Sequence, residues 1–263
     1  MKQHSTHLQT FYNQQADKFS GTRKRPRPEF DHIAEHILQY IETIQPKTIT
    51  IVELGCWDGR LYSFLWTIVD EYNNKNNTST TLQYTWVDFA EGLLAIARTN
   101  NPDATFVRQD MLEYLYSLPQ ESVDIFVSVA SIQHLPLAEQ RSQLFANIYR
   151  TLTRQGMHIS INRCSSKRFQ KKFAWPLMRA KIKRLISLWI YERNTLFVPF
   201  VSWSKTYQRL YHIFDGQELE KYSRMHGFVI KLLTYITKEW KKNLTPTDAR
   251  NSFLVQVKQI EKE

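Results

Sequence analysis

Apolar positions along the chain fall into two alternating periods. Ile33, Ile37, Ile41 and Ile44 recur every three to four residues, which predicts a helix over 28–44 with a buried stripe, ended by Pro46. Residues 48–54 are rich in β-branched side chains and predict a buried strand. A helical run follows over 60–72, then a polar Asn/Thr-rich surface loop over 73–81. Strand patterns recur at 82–87, 105–108, 122–128 and 157–161, the last entered through a turn at Gly156. Helical patterns over 90–99 and 136–152 lie among them, the second with Leu137, Leu144, Ile148 and Leu152 inward. Upstream, residues 1–10 are polar and read as a mobile end, and 11–20 as a short helix carrying Phe11, Tyr12 and Phe19.

Alternation of this kind demands a parallel sheet with helices on both faces. Residues 162–214 break it. Met178, Ile182, Leu185, Ile186 and Trp189 form an apolar stripe, with Arg179, Lys181, Lys183 and Arg184 on the intervening turns. This basic amphipathic helix suits a cover over the active site with its charges offered to phosphates, a membrane surface, or a partner protein. A helix over 217–225 and strands over 228–234 and 252–258 then complete the pattern, with the basic run Lys238, Lys241 and Lys242 between the strands. The expected fold is α/β and Rossmann-like: a mostly parallel seven-stranded sheet with an antiparallel final strand, plus a basic helical and aromatic insertion after strand five.

Charge changes this picture by dividing it. The formal net charge is +10, yet residues 1–160 hold 14 Lys/Arg against 17 Asp/Glu, while 161–263 hold 21 against 8. Such segregation suggests that the back half meets a polyanion, either nucleic acid or an anionic membrane surface. No run approaches the ~20 apolar residues of a membrane span, and the first residues lack the apolar core of a signal peptide. Cys56 and Cys164 are too few for a metal cluster and need not pair, so an intracellular, reduced setting is the default.

The most informative stretch is Val52-Glu53-Leu54-Gly55-Cys56-Trp57-Asp58-Gly59-Arg60, at the carboxyl end of the first strand. Two glycines four apart permit a tight turn where a Cβ would crowd a ligand, and the next helix offers free N–H groups to it. A dinucleotide site wants G-x-G-x-x-G for a pyrophosphate. Here the loop is G-x-x-x-G, and Glu53 and Asp58 would repel a pyrophosphate but attract a sulfonium and an α-amino group. S-adenosylmethionine is therefore the expected cofactor; the bland alternative is a glycine turn without a ligand. Asp88, at the end of the second strand, is placed to accept both ribose hydroxyls, or to cap a helix. Asp110 suits the adenine amine with Met111 or Leu112 against the ring, or again a cap. The loop holding Lys18, Arg23, Lys24, Arg25 and Arg27 could clamp a phosphate backbone or be solvated. Phe197-Val198-Pro199-Phe200 runs into Trp203, Tyr207, Arg209, Tyr211 and His212, which suits stacking a base and grasping an anion, or packing as a lid.

These motifs resemble the class I S-adenosylmethionine-dependent methyltransferases. The cofactor signature is Val52–Arg60, then Val87-Asp88-Phe89-Ala90-Glu91-Gly92-Leu93-Leu94 with Ala97-Arg98, then Gln109-Asp110. Within that class the chain is most similar to the tRNA wobble-uridine methyltransferases that esterify a 5-carboxymethyl group, including the methyltransferase domain of an AlkB-homologue protein. Three segments carry this finer resemblance: Ala16-Asp17-Lys18-Phe19-Ser20-Gly21-Thr22-Arg23; Ser128-Val129-Ala130-Ser131-Ile132-Gln133-His134-Leu135; and Phe197-Val198-Pro199-Phe200 with Tyr207-Gln208-Arg209-Leu210-Tyr211-His212-Ile213-Phe214. Gln133 stands where that group has a histidine, and Phe200 where it has tryptophan.

The resemblance implies four segments: a substrate- and cofactor-covering end over 1–27, a cofactor-binding core over 28–161, a substrate-recognition insertion over 162–214, and completion of the sheet over 215–263. It implies a cofactor pocket of Glu53, Gly55, Cys56, Asp58, Gly59, Asp88, Phe89, Asp110, Met111 and Val129. Arg209 and His212 would orient the acceptor, with His134 and Tyr211 at its pocket and Arg23 closing over it. The expected partner is tRNA at its anticodon stem-loop, in the cytoplasm. A small zinc-binding activator subunit, which some of the resembled enzymes require, is a candidate partner. No resident metal and no stable membrane insertion are expected. The chief rival is a small-molecule methyltransferase acting on a quinone or lipid precursor; a cofactor-binding regulator is a third reading.

Overall fold

The computed structural model describes residues 2–21, 28–102, 104–185, 192, 194–202, 205–237, 242–243 and 245–258. Two compact units divide the chain: Met1–Val127 with Thr151–Gly156, and Ser128–Arg150 with Met157–Glu263. The expectations for Arg23, Lys24, Arg25, Arg27, Ile186, Trp189, Trp203, Lys238 and Lys241 lie outside the described residues.

In the first unit α1 (Lys2–Gln14), α2 (Ala16–Gly21) and α3 (Glu29–Ile44) lead into β1 (Thr48–Leu54), α4 (Arg60–Asn76), β2 (Thr81–Asp88), α5 (Glu91–Asn100), β3 (Thr105–Arg108), α6 (Met111–Ser117) and the start of β4 (Val123–Val129). β1 pairs in parallel with β2 and β4, and β2 with β3. Ile49, Ile51, Val52 and Leu54 are all buried, as a central strand covered on both faces requires. The register sets Leu54 opposite Val87, so the glycine loop leaves β1 beside Asp88.

Two expectations at this end are corrected. Residues 2–10 are not a mobile end but most of α1, because Leu8, Phe11 and Tyr12 share one helical face and are buried. α1 and α2 pack on α5 through Gly92, where a Cβ would lie only 3.0 Å from the Asn13 carbonyl oxygen. The Asn13 side chain accepts from the Gly92 N–H at 2.9 Å. The polar loop expected from residue 73 begins later, since α4 continues to Asn76; Asn77, at φ 55°, ends it by donating to the Asn73 carbonyl.

The second unit contains a 3-10 turn (Ile132–His134), most of α7 (Ala138–Thr151) and β5 (Leu152–Arg163), then α8 (Lys167–Lys172), α9 (Ala174–Leu185), β6 (Thr195–Ser202), β7 (Lys205–His212), α10 (Gly216–Met225), β8 (Phe228–Thr237), β9 (Lys242–Asn243) and β10 (Ala249–Lys258). β10 runs antiparallel between β5 and β8. Within the first unit the strand order is β3-β2-β1-β4, and within the second β5-β10-β8-β9. The seven expected strands are present, the last antiparallel, with two-residue β9 added at the edge. Gly156 lies inside β5 rather than before it.

β6 and β7 form a separate antiparallel ribbon, which the sequence pattern did not reveal. Pro199 is tolerated there because a two-stranded ribbon leaves one edge of each strand unpaired. α9 meets this ribbon differently from expectation. Ala180 is its buried contact, with Phe169, Phe173 and Leu177 packed around Leu196, Val198, Tyr211 and Ile213. Met178, Ile182 and Leu185, of the apolar stripe read from the sequence, are exposed together with Trp175. A small residue at the crossing lets the helix lie close to the ribbon, and the larger stripe is left on the opposite face.

Candidate active site

The glycine loop of the first unit is built around left-handed backbone. Gly55, Trp57 and Gly59 have φ of 76°, 57° and 75°. Gly55 N and Cys56 N both donate to the Val87 carbonyl, at 2.8 and 3.2 Å, which fastens the loop to the end of β2. The Asp88 carboxylate accepts from Trp57 N at 3.1 Å and Ala90 N at 2.9 Å. It thus braces the loop and opens α5, and burial raises its pKa to about 6 against those hydrogen bonds.

Glu53 is buried beneath the loop and accepts from the Tyr84 hydroxyl at 2.9 Å. Desolvation raises its pKa to about 8, opposed by Tyr84 and assisted by the neighbouring Asp58 and Asp88 charges. Asp58 differs: both of its oxygens pair with Arg60, one receiving Nε at 2.7 Å. Of the two carboxylates expected to draw a positive ligand, Glu53 therefore has its charge suppressed by burial and Asp58 has a partner in the chain. Cys56 is a buried free thiol whose pKa burial pushes well up. Asp110 caps α6 by accepting from Leu112 N at 2.9 Å, and Met111 beside it is buried. The Phe89 carbonyl accepts from Gln9 Nε2 at 2.7 Å, and its ring meets Tyr12 edge-on.

The second unit holds a cavity of about 660 Å³. Arg163, Arg168, Lys172, Arg209 and Arg250 line it, and among the described residues no acidic side chain does. Its aromatic wall is Phe169, Phe173, Phe200 and Tyr211. The Arg209 guanidinium lies over the rings of Phe200 and Tyr211, 4.9 and 4.8 Å from their centroids. Cation–π contact on two rings fixes the plane of its fork-shaped guanidinium at the cavity. Tyr211 in turn meets His134 edge-on at 4.7 Å.

His212 goes elsewhere. Successive side chains of a strand point to opposite faces, so Arg209 and Tyr211 share one face of β7 while His212 lies on the other. It is buried, with Nδ1 2.9 Å from Thr195 Oγ1 and Nε2 2.7 Å from Glu218 Oε2. Arg141, fully buried, donates to Glu218 at 3.2 Å and pairs with Glu192. Glu192, His212 and Glu218 bring three ligand atoms within 4.8 Å of one another. The Arg141 guanidinium already supplies their counter-charge, so the group is an ion cluster rather than a metal centre.

The structure thus gathers Glu53, Gly55, Cys56, Asp58, Gly59 and Asp88 around one loop, and Arg209 with Tyr211 at one cavity backed by His134. It separates His212 from Arg209, contrary to their expected joint role. Val129 is buried at the end of β4 in the second unit. Four cavity cations carried no site assignment in the sequence reading: Arg163, Arg168, Lys172 and Arg250. Arg163 ends β5, the end of a parallel strand where ligands gather, and that signal was available. Its closeness to Arg250 depends on the antiparallel register Asn251↔Arg163, which no local pattern announces.

Residues 52–160, the stretch that carries the glycine loop, match the family model described as a methyltransferase domain. Over those residues the chain carries a methyltransferase domain, and its fold is the Rossmann-like one of solved S-adenosylmethionine-dependent methyltransferases. The donor set fits the cofactor. A left-handed glycine loop gives access to backbone, and a buried acid at Glu53 would regain its charge beside a sulfonium or ammonium group. In three dimensions the chain is similar to a methyltransferase from Methanosarcina mazei (16% identity, 84% of this chain and 98% of that one, TM-score 0.59). A methyltransferase from Clostridium acetobutylicum is also similar (11%, 94% and 98%, 0.59). So is the Burkholderia thailandensis 1,6-didemethyltoxoflavin-N1-methyltransferase (11%, 98% and 90%, 0.58). At these identities the likeness is one of fold. No curated protein matches the chain in sequence. Among the described residues no helix is long and apolar enough to cross a membrane.

Proposed function

We propose that the protein methylates a carboxylate on a 5-carboxymethyl-type wobble uridine of tRNA, forming a methyl ester. The observation that carries this reading is the cavity that, among the described residues, is lined by five cationic side chains and no acidic one, and is walled by aromatic rings. A nucleotide offers both complements: phosphates for the cations and a base for the rings.

The bound cofactor supplies an electrophilic methyl group. A carboxylate acceptor is ionised at neutral pH, so the chain needs no strong general base. Its task is to hold the anion without proton transfer. Arg209, fixed between Phe200 and Tyr211, presents N–H donors in a plane suited to a carboxylate. His134 supports Tyr211 from the side. Esterification removes the acceptor's negative charge, which weakens its hold on the cationic cavity and favours release. Arg23 closing over the substrate, the anticodon stem-loop as the recognised element, a cytoplasmic setting and a zinc-binding activator subunit belong to the same proposal.

The test is transfer of a labelled methyl group from S-adenosylmethionine to carboxymethyluridine-containing tRNA. The expected product loses its label as methanol in mild alkali. Label found on a quinone or lipid precursor, with none on RNA, would replace this reading with small-molecule methylation.

A further inference from the structure

Beside the cationic cavity, joined to the opposite face of β7, lies an ionic cluster built around the buried Arg141 and His212. Arg141, near the start of α7, is fully buried and directs its guanidinium three ways: to the Leu135 carbonyl at 3.1 Å, to Glu218 at 3.2 Å, and to Glu192. Glu218 passes the connection to His212 at 2.7 Å, and His212 to Thr195 at 2.9 Å. The Thr195 hydroxyl lies 3.3 Å from the Pro136 carbonyl. The cluster therefore grips both residues that follow His134, at Leu135 and Pro136. It also grips a cross-strand pair of the ribbon, Thr195↔His212, the residue next to Tyr211.

We infer that Arg141, Glu218, His212 and Thr195 are positioning residues, which set His134 against Tyr211 and so fix the wall on which Arg209 rests. The functional part rests on the acceptor reading of the cavity given above. The chain of causes runs through backbone. On one side the cluster fixes the segment immediately after His134. On the other it fixes β7, whose opposite face carries Tyr211 and Arg209. Between these anchors the His134 and Tyr211 rings meet at 4.7 Å and 83°. Stability alone explains such a cluster poorly. Burying the Arg141 guanidinium removes it from water, while Glu218 is only partly buried and Glu192 is exposed, and a well-packed apolar replacement for such an arginine is often as stable. What directional ion pairs add is a single register between the parts they join. On this account His212 contributes without contacting the acceptor, which accounts for an arginine and a histidine three apart on a strand that face opposite ways.

The variants are Glu218→Gln, Arg141→Lys and Thr195→Val, the last removing only the link from His212 to Pro136. Two measurements are made on each. The first is the histidine ring C–H spectrum by NMR, with the His134 signal identified by its loss in His134→Gln. That signal carries the ring-current shift of Tyr211, so displacement of either ring moves it; His158, buried elsewhere in the unit, is the internal control. The second is turnover on carboxymethyluridine-containing tRNA. A displaced His134 signal with His158 unmoved is expected, together with a roughly hundredfold loss in kcat/KM, the usual scale for an ångström of misplacement, at unchanged S-adenosylmethionine affinity. A His134 signal at its wild-type position, with only the melting temperature lowered, overturns the inference. Should Arg141→Lys fail to fold, Thr195→Val decides by the same criteria. If the wild-type protein does not turn over this tRNA, the proposed function fails, while the NMR result still decides whether the cluster positions the rings.

Discussion

Glu53 makes the folded protein less stable as pH rises, and the size of the effect follows from its burial. The residue is 4% exposed and its carboxyl titrates at about 8, against an ordinary value of 4.5. Between those two values the unfolded chain has released a proton that the folded chain retains. The native state binds more protons there, so stability falls with rising pH, by about 1.4 kcal/mol for each unit. At pH 7 the accumulated cost is about 3 kcal/mol. Glu53→Gln keeps the volume, can still accept from the Tyr84 hydroxyl, and carries no charge at any pH. In a chain of this size a gain of about 3 kcal/mol raises the melting temperature by roughly 6–12 °C. The variant should therefore melt higher than wild type at pH 7.5 and at the same temperature near pH 4.5, by calorimetry across that range. S-adenosylmethionine should show the opposite preference. Its positive charge favours ionised Glu53, so binding near pH 7 releases a proton from wild type and none from Glu53→Gln, as titration in buffers of different ionisation enthalpy would reveal. Parallel pH–melting curves for the two proteins would refute the account of Glu53.

Gly59→Ala should cost about 1–3 kcal/mol, because φ is 75° and the new Cβ would lie 3.2 Å from both Ala97 Cβ and Asn101 Nδ2; urea unfolding measures it. His158 is buried and titrates at about 3 rather than 6.5. The unfolded chain takes up that proton first as pH falls, so stability drops from pH 6.5 downward, by about 2 kcal/mol at pH 5; the acid limb of a circular-dichroism pH titration should flatten in His158→Gln. Arg209→Lys keeps the charge but loses the planar fork stacked on Phe200 and Tyr211. It should lower kcat/KM for the proposed tRNA substrate by about 2 kcal/mol, roughly thirtyfold, with the S-adenosylmethionine Kd unchanged. Equal loss in both would show that Arg209 does not belong to the acceptor side.

The sheet was legible because its signals are local. Strand β1 and strand β3 have the bounds their β-branched runs suggest, and the Gly55 and Gly59 turn needs only its own residues. The terminus was misjudged because helix α1 draws its order from α5: three apolar residues in a polar sequence suffice once Gly92 lets the helices approach. α9 shows the same dependence on a partner. Its most apolar stripe and its buried stripe are different faces, and only the ribbon it packs against decides between them.

The grouping of Arg209 with His212 shows how a site can be read in its parts and mistaken in its arrangement. Arginine, tyrosine and histidine within four residues suit an anion pocket on a loop or a helix, where positions three apart can converge. On a strand they cannot, because parity assigns 209 and 211 to one face and 210 and 212 to the other. Pro199 and the aromatic density disguised the ribbon, since proline in an isolated strand pattern argues against a sheet. Had β6 and β7 been recognised, parity alone would have placed Leu210 and His212 together, and Leu210 is fully buried. That would have pointed His212 inward and prompted a search for its buried partner. The acidic residues at hand were Asp215 and Glu218, and α10 selects the second: Asp215 caps its first turn through Glu218 N at 2.8 Å, which turns the Glu218 side chain toward His212. Arg141 was beyond reach by this route, because 77 residues separate it from Glu218 and only the fold brings them together.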